Sequence, residues 1–537
     1  MKKLSLLFSL IMLTLTVGCS SGDDTGGSCN SEWLCEDSQG RVTEGDLRPL
    51  GPEMLIVTSV SLAGAWQEYA DLRTLEGVYT EVVTMDEVME VTSGADDAEQ
   101  LRNYLKEQYE MGSLRFVLLG GDAGVVPFRR VPNEISISLT GDEYASNAPS
   151  QLYFSNLEVD FDKDKDGVPG ERDEDFTVEE ARVSNVAVGR IPVDTEDELR
   201  DYIRKYKRYS ASASVRIPYP LLFSDIAVDS PATGVIDGAE GIEPTFNAFF
   251  PESFKENVKR LYATEAAAQK FGGEVLSYSK LQQALIQGYS FLFHNGHGSH
   301  ETLASSIDLG VIRAFNNDDP FVLLSCACLA GNFADMDDGF IPQEPDNDSA
   351  GELLLNDYHG AVAYVGNTAV GLGPWGGSQF LHAMSRALFV DEVGTIGEAF
   401  NVGRAELGTI NYSIPQVPSS LLTITEEREW WTQQVLILLG DPALRVLLGN
   451  LEVVTLDAPA TFGPGFQEMT VTVQNEAHQP VAGATVTLVK ADDFVIKSVT
   501  DAQGQATFRF IPSGRRAMQL GVAGRGISPA VTTVTPE

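Results

Sequence analysis

The chain has 537 residues, 43% of them hydrophobic, which is enough for two to four domains that each bury their own apolar core. Acidic residues outnumber basic ones 77 to 37, and the net charge of −40 would repel nucleic-acid phosphates, so nucleic-acid binding is excluded as a function class. An acidic excess of this size suits a soluble exported protein and can also gather calcium.

The N-terminus reads MKKLSLLFSLIMLTLTVGCSSGDD, with two lysines ahead of an apolar run from Leu4 to Val17. This pattern predicts an export signal over residues 1–18, not a membrane span. Gly18 directly before Cys19 resembles a bacterial lipoprotein box, which implies that Cys19 is lipidated and anchors the mature chain to a membrane. Ser20 stands where inner-membrane lipoproteins usually carry aspartate, so the same resemblance implies the outer membrane or cell surface. Residues 19–50 are acidic, rich in Gly and Ser near their start and weakly patterned, and read as a tether. Cys29 and Cys35 flank the segment NSEWL, and in an exported protein they are expected to form a small disulfide loop. No later stretch is long and apolar enough to span a bilayer.

From residue 51 short apolar runs alternate with amphipathic ones: MLIVTS, LAGAWQEYADLRTLEG, YTEVVTM, DDAEQLRNYLKEQYEMG and LRFVLLGGD. Apolar strands alternating with helices predict parallel βαβ units. The acidic run Asp162-Lys163-Asp164-Lys165-Asp166-Gly167 follows, with carboxylates at alternate positions and a glycine for the sharp turn. Such spacing suits calcium, with Asp162, Asp164, Asp166 and Asp173 as ligands, and Glu171 or Glu174 as substitutes for Asp173. No helical pattern precedes it, so a calcium-stabilised surface loop is expected instead of an EF-hand. The alternation resumes with VSNVAVGRIPV, TEDELRDYIRKYKRYS, PLLFSDIAV, YSKLQQALIQG, YSFLFHNGHG, PFVLLSCACLAG and GAVAYVGN. Two α/β subdomains are expected, at residues 51–215 and 216–448, built on two sheets or one long one. Beyond Gly449 strands such as EMTVTVQNE and QATFRFI show period-two alternation between turns, which predicts a β-sandwich over 449–537.

Two of these runs carry chemistry. FLFHNGHG delivers His297 at the C-terminal end of a strand, between Gly296 and Gly298. Active sites of open α/β sheets lie outside the carboxyl ends of their strands. PFVLLS ends in the same way at Cys326-Ala327-Cys328. A base and a thiol on two strand ends are the minimal arrangement for nucleophilic catalysis. Cys-x-Cys spacing is poor for a mutual disulfide, and no second cysteine pair completes a zinc site. His294, His297 and His300 recur every third residue, which on a strand and turn does not put them on one face.

GHGSHET followed by ACLAGNF resembles the His-Gly and Ala-Cys elements of the caspase-type clan, and within it the gingipain-like cysteine peptidases. FVLLGGDAGVVP, NVAVGRIPVDTEDEL and LILLGDPALRV agree in order and extend the resemblance over residues 51–447. It implies a caspase-like α/β body followed by an immunoglobulin-like sandwich, and a peptidase acting on proteins or peptides without an organic cofactor. His297 is then the general base and Cys328 the nucleophile, with the N–H groups of Gly298 and Cys328 as oxyanion hole. The third catalytic residue is implied to be Asp225, with Asp229 as the alternative. Trp375 would be a pocket-wall aromatic, and Asp237 or Glu240 the acid that receives a basic substrate side chain. Two other readings stay open: a silent adhesion or binding protein on the same scaffold, and a hydrolase that transfers acyl groups to amines.

Overall fold

The structure is a computed structural model that describes residues 29–31, 34–35, 51–137, 142–212, 219–230, 234–334, 348–414, 422–447, 451–491 and 493–537. It divides into two units, Met1–Pro49 and Leu50–Glu537. In the first, the described backbone is a short antiparallel pair, Cys29–Ser31 with Leu34–Cys35, in which Cys29 and Cys35 are Cα partners. The expected export signal, the Cys19 lipidation site and the side chains of the expected Cys29–Cys35 disulfide lie outside the described residues.

The second unit is built on one sheet of eleven strands. They are β1 Met54–Thr58, β2 Thr80–Thr84, β3 Phe116–Gly120, β4 Ala187–Ile191, β5 Tyr219–Ser224 and β6 Lys259–Tyr262. The rest are β7 Glu274–Val275, β8 Tyr289–Asn295, β9 Phe321–Ser325, β10 Ala361–Asn367 and β11 Leu436–Gly440. The spatial order is β7-β6-β5-β8-β9-β10-β11-β4-β3-β1-β2. All pairs from β7 to β10 are parallel. β11 runs antiparallel to β10 but parallel to β4, and the pairs onward to β2 are parallel as well. Two parallel blocks of opposite direction therefore meet at β10 and β11 in one long sheet. MLIVT, FVLLG, FVLLS, AVAYVGN and LILLG are buried along their whole length because both faces of the sheet are covered.

Five helices matter below: α1 Val60–Leu75, α2 Ala239–Phe249, α3 Ala350–Asn356, α4 Gly377–Phe389 and α5 Glu426–Val435. β11 follows α5 in sequence yet takes its direction from the N-terminal block. The expected subdomain borders near 215 and 448 fall at 213–218 and 448–450, outside the described residues. Among the described residues no helix is long and apolar enough to cross a membrane.

The C-terminal β-sandwich has a three-stranded sheet (Val454–Asp457, Gln467–Asn475, Gln505–Phe510) and a five-stranded one. Met469, Val471 and Val473 alternate inward on the first, as do Ala506, Phe508 and Phe510. The sandwich is seated on the end of α1. Gly521 approaches so closely that a Cβ there would lie 2.0 Å from Leu75 O, and Lys497 Nζ donates to Gly77 O at 2.7 Å.

Candidate active site

β8 and β9 are adjacent and parallel, with His294 opposite Ser325. His297 and Cys328 each lie three residues beyond that pair, so strands about 4.8 Å apart carry both to one edge of the sheet. On the other side of β8, Ser224 of β5 lies opposite Asn295, and Asp225 leaves the sheet at the same edge. Glycines let these three loops touch. A Cβ on Gly298 would lie 2.6 Å from Ala327 Cβ and 3.1 Å from Cys328 O, and one on Gly296 would lie 2.5 Å from Asp225 Cβ.

The start of α3 ties the histidine and cysteine loops together. Ala350 N–H donates to His300 O and Gly351 N–H to Ala330 O, both at 2.7 Å. These are N–H groups of the first helical turn, which have no partner inside the helix. Ser349 and Glu352 close a capping box that fixes the turn. The signature Ser349-Ala350-Gly351-Glu352 is visible in the sequence and marks this helix start, which the strand-and-helix reading did not include.

Cys326 and Cys328 are both free thiols. Cys328 is half-buried, and Gly371, on the loop after β10, clasps its sulfur: the Gly371 N–H donates to Sγ at 3.3 Å, and Sγ lies 3.6 Å from Gly371 O. Desolvation raises the Cys328 thiol above its ordinary value, against the lowering effect of the Gly371 N–H. Cys326 faces the interior, 3.7 Å from Ser378 Oγ, and burial pushes its thiol up to about 12. Of the two, Cys328 is the one partly open to solvent.

His297 is exposed, and its ring has no hydrogen-bond partner among the described residues. His294 is buried against Phe223, its Nδ1 lies 2.9 Å from Ser325 Oγ, and burial lowers it to about 3, so it stays neutral. Among the described residues no group of potential metal ligands includes His294, His297 or His300. Among the described residues the N–H groups of Gly298 and Cys328 donate no backbone–backbone hydrogen bond, and the Cys328 N–H faces its own sulfur.

The acids divide differently from expectation. Asp225 abuts Gly296, but its carboxylate accepts from Ser305 N (2.7 Å), Ser305 Oγ and Ile226 N (3.1 Å), not from His297. Asp229 is exposed on the hairpin formed by Ile226–Ser230 and Gly234–Asp237. Asp237 is 5% exposed and accepts from Ser224 Oγ (2.5 Å), Ala239 N (3.0 Å), Thr264 N (2.9 Å) and Thr264 Oγ1 (3.0 Å). Four internal donors saturate it, so it buttresses the start of α2 and is not open to a substrate cation. Glu240 is paired through both oxygens with Lys270, at 2.6 and 2.8 Å. Trp375 lies four residues beyond Gly371 on the loop that clasps the thiol.

In the acidic loop, carboxylate oxygens of Asp162, Asp164 and Asp166 lie within 4.8 Å of one another, and so do those of Asp164, Glu171 and Glu174. Asp173 joins neither group. It adopts φ 68°, is exposed, and turns its carboxylate towards Arg172 at 3.5 Å. Crowding is evident at Glu171, whose Oε2 is buried without a hydrogen-bond partner and whose pKa is raised by desolvation and by Asp166. An all-oxygen donor set of this kind fits a hard cation such as calcium.

A carboxylate pair joins Asp122 to Glu352 of α3. Burial raises Asp122 to about 6, against the lowering effect of a side-chain hydrogen bond with Glu352, and burial raises Glu352 as well, with the charge of Asp122 adding to it. A raised carboxyl binds its proton more tightly folded than unfolded, so stability falls as pH rises from the unfolded value through the folded one. For Asp122 that loss is complete above about pH 6. Glu352→Gln removes one member of the pair and keeps an oxygen for the Ser349 N–H. The variant is expected to melt higher than wild type at pH 8 and level with it near pH 4. Equal melting temperatures at both pH values would contradict the repulsion.

No curated protein matches the chain. Among solved structures it is similar to the Arg-specific cysteine proteinase gingipain R (RgpB), at 16% identity and TM-score 0.63, covering 91% of this chain and 99% of that one. It is similar also to the complex of Porphyromonas gingivalis RgpB pro- and mature domains, at 15% identity and TM-score 0.62, covering 90% and 100%. At these identities the likeness establishes the caspase-like α/β body and its sandwich, and no more. The model of "Peptidase family C25" matches residues 48–447, three-quarters of the length and every element that builds this site. The chain belongs to peptidase family C25.

Proposed function

We propose that the protein is a cysteine endopeptidase in which Cys328 attacks the scissile carbonyl and His297 serves as general base. As a member of its family it is a cysteine peptidase, and its substrates are proteins or peptides. The observation that carries the finer reading is the fit of Gly298 against Ala327 and Cys328, which brings the histidine loop onto the nucleophile loop. In the proposed reaction the imidazole of His297 takes the thiol proton as sulfur bonds to the carbonyl carbon. The N–H groups of Gly298 and Cys328 hold the oxyanion. Collapse breaks the C–N bond, the imidazolium gives its proton to the departing amine, and water then hydrolyses the thioester. Asp225 supports the loop at Gly296 and supplies negative charge nearby, and Trp375 offers an apolar wall. Free thiols at both cysteines favour this reading over a silent scaffold with a locked sulfur. The test is alkylation. Iodoacetamide is expected to modify Cys328 ahead of Cys326 and to stop peptide hydrolysis in step, and hydrolysis that survives full modification of Cys328 would refute the mechanism. Product analysis with added amine separates hydrolysis from acyl transfer.

Calcium is proposed as a structural ion of the acidic loop, held by Asp162, Asp164, Asp166, Glu171 and Glu174. An ion that binds only the folded state at 100 times its Kd stabilises by about 2.7 kcal/mol. Chelation is therefore expected to lower Tm by about 3 °C. Asp164→Asn, at the carboxylate common to both groups, is expected to abolish the difference, and a Tm indifferent to chelator would remove the site.

Residues 1–19 support an outer-membrane or cell-surface lipoprotein anchored through Cys19. Cys19→Ala is expected to shift the protein from the membrane fraction to the soluble one, and unchanged partition would count against the anchor.

A further inference from the structure

We infer that the cleft beside Cys328 selects an acidic side chain on its substrate, with Arg428 as the specificity-determining residue. This rests on the peptidase reading and names its substrate class. A cleft that favours a basic residue needs a carboxylate with capacity to spare, because a buried carboxylate already saturated by donors gains nothing from another. Asp237, at the turn into α2, and Glu240 and Glu243, on α2 itself, are all spent, whereas Asp229 on the preceding hairpin is exposed. Asp237 is closed by four donors, Glu240 by Lys270, and Glu243 by Arg260 Nε at 2.6 Å and by the Tyr262 hydroxyl. Asp225 is held by Ser305.

A cation stands beside the loop that clasps the thiol. The Arg428 guanidinium, on α5, lies over the Trp375 ring at 5.4 Å from its centroid, and its Nη1 donates to Thr423 O at 3.2 Å. Among the described residues it has no carboxylate partner, although Glu426, Glu427 and Glu429 are its neighbours in sequence. Glu429 is taken by Arg182 at 2.5 Å, and Glu427 reaches towards Arg172 at 4.0 Å. Trp375 is joined to the nucleophile through a short stretch of loop: Gly371 holds Cys328 Sγ, and Trp375 N–H donates to Leu372 O at 3.1 Å. The loop has little freedom to move away. A Cβ on Gly376 would lie 2.1 Å from Thr432 Oγ1 of α5, and Gln379 of α4 donates to Pro374 O at 3.2 Å and Leu422 O at 2.7 Å. A guanidinium stacked on an aromatic ring keeps its fork of N–H groups free at the rim, and that fork matches a carboxylate in two parallel hydrogen bonds. The net charge of −40 opposes an acidic substrate at long range, but beyond a screening length of about 8 Å this repulsion is largely lost at physiological ionic strength.

The test uses fluorogenic peptide pools that differ only in the residue on the acyl side of the scissile bond: Asp/Glu, Asn/Gln, Lys/Arg or Leu/Phe. Wild type is expected to show kcat/KM at least about tenfold higher for the acidic pool than for the basic one. Arg428→Gln is expected to shrink that ratio, and Arg428→Glu to reverse it, a gain that misfolding would not produce. Highest turnover of the basic pool by wild type, or one ratio shared by all three proteins, would overturn the assignment. Protection of Cys328 from iodoacetamide by each pool is measured alongside. Acidic peptides that protect without being cleaved would uphold the selection and sink the peptidase reading, whereas cleavage with equal protection by acidic and basic pools would do the reverse.

Discussion

Peptide hydrolysis by Cys328→Ala is expected to fall by at least about 10⁴-fold, and His297→Ala to fall comparably, because members of a catalytic unit lose nearly the whole effect when either is removed. The physical reason lies in the state of the thiol. Desolvation raises Cys328, so little thiolate exists at neutral pH unless a neighbouring base accepts the proton. His297, exposed and without a hydrogen-bond partner among the described residues, is free to turn towards it. Cys326→Ser is the matched control. Its sulfur faces Ser378 in the interior with a pKa near 12, and the variant is expected to keep its activity within a small factor of wild type. Full activity in Cys328→Ala, measured by initial rates on a peptide pool, would end the proposal. Loss of activity in Cys326→Ser with the fold intact would move the nucleophile two residues upstream.

Much of this was legible in the chain because the relevant signals are local. Short continuous apolar runs such as FVLLS and AVAYVGN suit strands covered on both faces, and the residues that end such strands stand at a sheet edge whatever the topology. The histidine and cysteine loops were therefore readable from sequence. Hydrogen-bond partners were not, since they come from residues far apart. Asp237 has the residue type and place of a pocket acid, but its partner Thr264 lies 27 positions on, and no pattern near Asp237 reveals that it is saturated. Ser305 takes Asp225 from 80 positions away for the same reason. The acidic loop shows a finer limit. Alternation brought Asp162, Asp164 and Asp166 together as expected, while the left-handed conformation at Asp173 turned the twelfth position outward and left Glu171 and Glu174 to take its place. Counting along a loop assumes regular backbone, and one residue at positive φ is enough to break the count.

Gly298→Ala is expected to lower kcat by about 10²-fold while leaving the fold and the reactivity of Cys328 in place. A Cβ at this position would meet Ala327 Cβ at 2.6 Å, Thr302 O at 3.0 Å and Cys328 O at 3.1 Å. Of these, the first lies below any separation that real carbon atoms tolerate, and none belongs to the end of a flexible side chain. The two loops must separate. His297 is the residue immediately before, and the Gly298 N–H is one of the two proposed oxyanion donors, so the same displacement spoils both the base and the hole. A misplacement of about 1 Å costs about 10²-fold in a positioned reaction, and loss of one oxyanion donor costs about as much. The clash is confined to the edge of the sheet, since His300 O and Ala330 O remain anchored to the start of α3. Melting temperature and the rate of Cys328 alkylation at high pH, where no base is needed, are expected to stay close to wild type. Wild-type kcat in this variant would mean that the loops do not have to touch for catalysis, and would separate the observed packing from the mechanism built on it.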